Sequence, residues 1–197
     1  MLSKGILYIM SGPSGTGKGT ICNELLKRCD IHLSVSMTSR EQRKGETQGV
    51  TYHYVSEDEF KNKIDEDLML EWAVYNGKYY GTPKEKIDEM LKMGKDVLLE
   101  IDVQGALQVK AKMPEAIMMF IIPPSMKILR ERLVDRGREN QTEIQQRIDA
   151  AKWEFSQSFK YNNIIVNDDL DVCVDEVLNL MDAYKRERNK VEDLLNE

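Results

Sequence analysis

The chain has 197 residues, 41% of them apolar and 31% charged, with a formal net charge of −6. That is one domain's worth of sequence, able to bury a full core without disulfide staples, and its balance excludes disorder, a collagen-like array and a secreted scaffold. The acidic excess argues against a general nucleic-acid binder, and the apolar runs Ile6 to Met10 and Ala116 to Ile122 are too short for a signal peptide or a membrane span. Cys22, Cys29 and Cys173 form no CxxC pattern, which fits a reducing cytoplasm.

In chain order, Gly5 to Ser11 predicts a short strand and Gly12 to Gly19 a glycine-rich turn. Thr20 to Arg28 predicts a helix with Ile21, Leu25 and Leu26 on one face. Leu33 to Met37 alternates like a strand, Thr38 to Thr51 reads as loop, and Tyr52 to Val55 as another strand. Ser56 with Glu59 forms a capping box opening a helix to about Asp65. Leu68 to Tyr75 predicts a strand and Asn76-Gly77 a hairpin turn. Pro83 and Gly94 bracket a helix. Asp96 to Asp102 predicts a strand closing on acids, with a helix from about Gln104 to Lys112 after it. Ile117 to Ile122 is the continuous apolar run of a strand buried on both faces. Ser125 caps a helix to Arg136, and Thr142 with Gln145 caps another to about Ser158. Asn163 to Val166 is the last strand, and Leu170 to about Leu195 a long terminal helix. This order predicts a three-layer α/β fold around a central parallel sheet. The tyrosine-rich segment 34–83 reads as an inserted mixed β/α lobe and 125–160 as an arginine-rich helical lid, leaving 1–33, 84–124 and 161–197 as core.

The sharpest chemical signal is Gly12-Pro13-Ser14-Gly15-Thr16-Gly17-Lys18 between a strand and a helix. Glycines let successive backbone N–H groups converge on a phosphate, the helix N-terminus adds its positive end, and Lys18 supplies a point charge. The residue after such a lysine is ordinarily Ser or Thr, whose hydroxyl holds Mg²⁺; here it is Gly19, with Thr20 one step on. A water can fill that place. Glu100 and Asp102 are two apart at a strand's carboxyl end, where ligands bind in α/β folds; they project to one face or form a solvent-facing acidic end. Arg132, Arg136 and Arg147 lie in the helical segment 125–160, and Arg40 and Arg43 in the polar loop, as candidate phosphate forks. Arg130 and Arg138 read as solvated helix charges. Ser36, Tyr52, Glu71, Tyr80 and Thr82 form a polar and aromatic set. A carboxylate such as Glu71 suits the N1–H and N2–H₂ edge of guanine, and the Ser36 and Thr82 hydroxyls suit its O6. Equally, Glu71 can face water and the tyrosines can belong to a core. His32 and His53 have no metal-ligand spacing.

These motifs together resemble the guanylate kinases, from about Tyr8 to Met181. The resemblance rests on Ser11 to Lys18, Ser34 to Arg40 with Arg43 and Gly45-Glu46, Glu71-Trp72-Ala73, and Tyr79 to Thr82. It continues through Glu100 to Ala106, Pro123 to Ser125, Arg132-Leu-x-x-Arg136-Gly137 and Val166 to Asp169. The resemblance implies transfer of the γ-phosphoryl group of ATP to GMP, with Mg²⁺, in the cytoplasm; dGMP is a possible acceptor. It implies that Ser36, Glu71 and Thr82 contact guanine and that Arg40, Arg43, Tyr52 and Tyr80 hold the GMP phosphate. Asp102, with Glu100 beside it, is implied near guanine and the waters of Mg²⁺. Lys18, Arg132, Arg136 and Arg147 would gather the transferring phosphates, the loop from Gly12 to Thr20 would hold ATP, and Asn167 would lie near its adenine. Two departures stand out: Glu41-Gln42 replaces the family's usual proline between Arg40 and Arg43, and Glu100 stands where an Asp is frequent. Competing readings are a kinase for another nucleotide or for a ribose bisphosphate, and a catalytically silent peptide-binding module.

Overall fold

The structure, a computed structural model, describes residues 4–75, 77–135 and 141–195. A five-stranded sheet lies at its centre. Its strands are β1 (Leu7–Ser11), β2 (His32–Leu33), β7 (Val97–Glu100), β8 (Ile117–Ile122) and β9 (Asn163–Val166), in the order β2-β7-β1-β8-β9. Every pairing in it is parallel, as the strand–helix alternation predicts. Strand geometry sends successive side chains to opposite faces, and each face builds its own core. Leu7 and Ile9 of β1 pack with Ile87 and Leu91 of α3 (Lys84–Lys92) and Val103 and Val109 of α4 (Val103–Lys112). Tyr8 and Met10 point the other way, toward Ile21 and Leu25 of α1 (Lys18–Arg28) and Val174 and Val177 of α7 (Leu170–Leu195). The result is the expected three layers.

A second, mixed sheet comes from the middle of the chain, its strands lying in the order His53–Tyr54, Met37–Thr38, Lys78–Pro83, Met69–Tyr75. It contains β3 (Met37–Thr38), β4 (His53–Tyr54), β5 (Met69–Tyr75) and β6 (Lys78–Pro83), with α2 (Glu57–Asp65) packed on it through Phe60. The single strand expected over Leu33 to Met37 is two. His32 and Leu33 pair with Val97 and Leu98 in the central sheet, whereas Met37 and Thr38 pair with β4 and β6. Alternation over five residues carries no information about which sheet each end joins. Ser56 caps α2 as predicted, its hydroxyl accepting from the Glu59 N–H at 3.1 Å, and Gly94 ends α3 with φ 77°. Of the expected hairpin dipeptide, Asn76 lies outside the described residues and Gly77 has φ 69°.

Helices α5 (Met126–Asp135) and α6 (Gln141–Ser156) share a small core of Leu129, Leu133, Ile144, Ile148 and Ala151. The Ser125 hydroxyl caps α5 through the Ile128 N–H at 3.2 Å. Thr142 does not cap α6, because Gln141 before it is already helical. It ends at Ser156, and a 3₁₀ turn spans Ser158–Lys160. Arg136 and Arg138 lie outside the described residues.

Candidate functional site

The carboxyl ends of β1 and β7, one side of the mixed sheet and one face of α6 line a cleft of about 750 Å³. Strand β1 runs directly into the loop from Gly12 to Gly17, where three glycines adopt positive φ: 138° at Gly12, 91° at Gly15 and 91° at Gly17. Only glycine holds such angles without strain. Gly17 is also the N-cap of α1, so the helix N-terminus opens into the loop. The loop is braced from within. The Thr16 hydroxyl donates to the Pro13 carbonyl at 2.9 Å, and the buried Asn167 amide donates to the Thr16 carbonyl at 2.7 Å. Lys18 folds back over the loop and donates to the carbonyls of Gly12 at 2.5 Å and Pro13 at 3.1 Å. Gly12, Ser14, Gly15, Gly17, Lys18 and Gly19 all line the cleft. Pro13 is buried and serves through its carbonyl.

Glu71, on β5, faces this loop across the cleft. It is 4% exposed, and its Oε1 accepts from the Thr82 hydroxyl of β6 at 2.5 Å. Burial pushes its carboxyl up to about 7; Asp102 nearby raises it further, and the Thr82 hydrogen bond opposes both. Thr82 itself is fully buried and gives its only hydroxyl proton to Glu71. It is not among the residues that line the cleft, and in this structure its hydroxyl orients the Glu71 carboxylate. Ser36, Tyr52 and Tyr80 do line the cleft.

Arg40 stacks over Tyr52 and Tyr54, 5.6 and 5.7 Å from their ring centroids, and forks onto both oxygens of Glu46 at 2.9 Å. Glu46 also accepts from the Tyr54 hydroxyl and from the Arg43 backbone N–H, each at 2.8 Å. The Arg40 fork holds its carboxyl down at about 2. Glu46 thus sets the pose of Arg40; the sequence motif contains it without revealing that work. Arg43 is exposed on the following turn and joins this network through its backbone.

Glu100 and Asp102 line the cleft beside the loop. Asp102 is the N-cap of α4, its Oδ1 accepting from the Gly105 N–H at 2.8 Å. A Cβ at Gly19 would lie 3.5 Å from both carboxylate oxygens of Glu100, so Glu100 covers the place where a loop hydroxyl would ordinarily stand. Among the described residues, no three His, Cys, Asp or Glu side chains gather to hold a metal ion alone. Mg²⁺ rarely needs that: it keeps waters and takes one or two carboxylates with substrate phosphates, which Glu100 and Asp102 fit.

The third wall is α6. Glu143, Gln146, Arg147, Ala150, Trp153 and Glu154 recur every three or four residues and face the cleft, opposite the stripe packed on α5. Arg147 reaches the loop and donates to the Ser14 hydroxyl at 2.5 Å. Burial raises the Glu154 carboxyl, while Lys18 and Arg147 pull it down. Of this stripe, sequence reasoning finds only Arg147; helical spacing from that residue is the signal for the others. Arg132, Thr20 and Asn167 line a neighbouring cavity of about 410 Å³ with Gly15, Gly17, Asp135, Asp168 and Leu170. Arg136 falls outside the described residues.

A family model of guanylate kinase matches residues 4–184. The chain belongs to the guanylate kinase family. It is 46% identical over 192 residues to a guanylate kinase of Clostridium tetani, covering 98% of this chain and 92% of that one. It is 47% identical over 192 residues to a guanylate kinase of Caldanaerobacter subterraneus, covering 97% and 93%. The crystal structure of a guanylate kinase from Anaplasma phagocytophilum superposes with a TM-score of 0.77 at 32% identity, over 92% of this chain and 87% of that one. Guanylate kinases phosphorylate GMP with ATP.

Proposed function

We propose that the protein transfers the γ-phosphoryl group of ATP to GMP in the cytoplasm, giving ADP and GDP. The observation that carries this reading is a cleft of about 750 Å³ with a glycine-rich loop on one wall and a buried carboxylate, Glu71, on the other. An ionised carboxylate is acceptor-only, so it complements the N1–H and N2–H₂ donors of guanine and repels the N1 acceptor of adenine. Ser36 lines the same wall and supplies a hydroxyl for O6.

The acceptor is a phosphate monoester dianion, already a nucleophile, so the protein needs no strong general base. Its work is alignment and neutralisation of a loose in-line transition state. Arg40, Arg43, Tyr52 and Tyr80 hold the GMP phosphate. The loop from Gly12 to Thr20 cradles the phosphates of ATP, with Asn167 stiffening it and Arg132 on the donor side; the resemblance assigns Arg136 to the same phosphates. Lys18 leaves the carbonyls of Gly12 and Pro13 for the phosphates. Arg147 bridges from α6 to the loop, so closing this helix brings a cation to the transferring group and excludes water. Glu100 and Asp102 would hold Mg²⁺ through water, and the ion would offset negative charge on the ATP phosphates. In this reading 34–83 is the GMP lobe, 125–160 the lid, and the remainder the core.

The test is a nucleotide panel with ATP and Mg²⁺, following ADP release with GMP, dGMP, AMP, CMP, UMP, dTMP and ribose 1,5-bisphosphate. Strong turnover with GMP and little with AMP is expected. Turnover with another acceptor discards the guanine assignment, and none with any acceptor from a folded sample discards the kinase.

A further inference from the structure

Gly105 sits third in α4, in the first turn of a helix whose N-cap is Asp102, and glycine is a poorer helix former than alanine. A Cβ built there would lie 2.5 Å from Oε2 of Glu71 and 2.9 Å from its Cδ. The Glu71 carboxylate therefore rests on the space a side chain at 105 would fill. The same residue's N–H donates to Asp102 at 2.8 Å and so fixes the second acid of the cleft. One backbone position serves two carboxylates from two different elements.

We infer that Gly105 is a specificity-positioning residue: its missing side chain seats the Glu71 carboxylate, pinned by Thr82, in the pose that reads the acceptor base. This rests on the reading of Glu71 as the guanine-binding group. What must yield to a methyl group at 105 follows from the surroundings. The backbone of α4 is fixed by its Asp102 cap and by Val103, Ala106 and Val109 in the core. Glu71 presents only the far end of its side chain, so the carboxylate moves and the fold stays. Its other oxygen is tied at 2.5 Å to Thr82, which is fully buried. The displaced carboxylate loses this bond, its pose, or both. The Asp102 cap uses the N–H of residue 105 and survives the substitution, so the donor side of the site is untouched.

The experiment compares Gly105→Ala, Glu71→Gln, Glu71→Asp and the double variant Gly105→Ala/Glu71→Asp. It measures steady-state kinetics with GMP and AMP, KM for ATP, and thermal unfolding. Misplacing a recognition group by about 1 Å costs on the order of 10²-fold. Gly105→Ala is expected to lower kcat/KM for GMP by about that factor, mostly through KM, with KM for ATP unchanged. Shortening residue 71 by one methylene returns the space but also withdraws the carboxylate, so the double variant loses about tenfold less than the product of the two single losses. A role of Gly105 in helix packing that does not involve Glu71 would not be relieved by Glu71→Asp, and a purely structural clash would lower thermal stability without shifting KM for GMP. GMP kinetics at the wild-type level in Gly105→Ala, beside a large loss in Glu71→Gln, overturns the inference but not the guanine assignment. GMP preference unchanged in Glu71→Gln overturns that assignment, and the inference with it. If Gly105→Ala does not fold, folding restored by Glu71→Asp supports the clash, and failure in both backgrounds overturns it.

Discussion

Replacing Glu71 by Gln should make the nucleotide-free protein more stable while weakening its use of GMP. The folded chain holds the Glu71 proton up to about pH 7, against the ordinary value of 4.5. The folded state therefore binds this proton more tightly than the unfolded state, and stability falls as pH rises from about 4.5 to about 7, then levels off. At about 1.4 kcal/mol per pH unit the full cost is about 3 kcal/mol above pH 7. Glutamine carries no such proton and keeps an acceptor for the Thr82 hydroxyl. Its amide N–H₂, set against Gly105, gives back about 1 kcal/mol. The net expectation is a gain of about 2 kcal/mol at pH 8, or roughly 4–8 °C in Tm for a chain of this size. The order should reverse below pH 4.5, where both side chains are neutral. Urea unfolding of the nucleotide-free proteins from pH 4 to 8 reads this directly. A difference that does not change with pH would refute the raised carboxyl. The same ionisation should govern catalysis: wild-type kcat/KM for GMP falls below about pH 7, and dividing by the Glu71→Gln profile cancels the phosphate's own titration.

Three further outcomes are expected. Lys18→Ala should fold normally and lose about 10²–10³-fold in kcat, since it removes a cation aimed at developing charge; near-normal turnover would refute its role. Arg147→Ala breaks the link between α6 and Ser14 and should cost about 10³-fold in kcat with little change in KM for GMP, checked by single-turnover phosphoryl transfer. Glu46→Gln releases the Arg40 fork and should raise KM for GMP about tenfold while leaving KM for ATP alone; equal changes in both would show that Glu46 supports the fold rather than Arg40.

Much of this site is legible in the sequence because its chemistry is local. The phosphate loop is a contiguous run whose glycines, lysine and following helix declare themselves by spacing. The capping Ser56, the stop at Gly94 and the buried strand β8 are likewise short-range events, settled within one turn or one strand. Glu71 is visible as a carboxylate in a strand, but whether it faces water or a base is not a local property.

Composition, periodicity and motif order determined by themselves a parallel α/β core, a phosphate loop and the candidate set of acids and arginines. Which groups meet was decided only by tertiary structure, because contact between distant segments depends on how sheets and helices stack. Thr82 is a surface-capable hydroxyl in sequence and a buried tether for Glu71 in space. Asp102 reads as a strand-end acid and proves to be a helix cap. Leu33 and Met37 read as one strand and belong to two sheets. Gly105 is one member of a motif in the sequence, and its contact with Glu71 emerges only when β5 is laid against α4, where the absence of one carbon leaves room for the acid of another element.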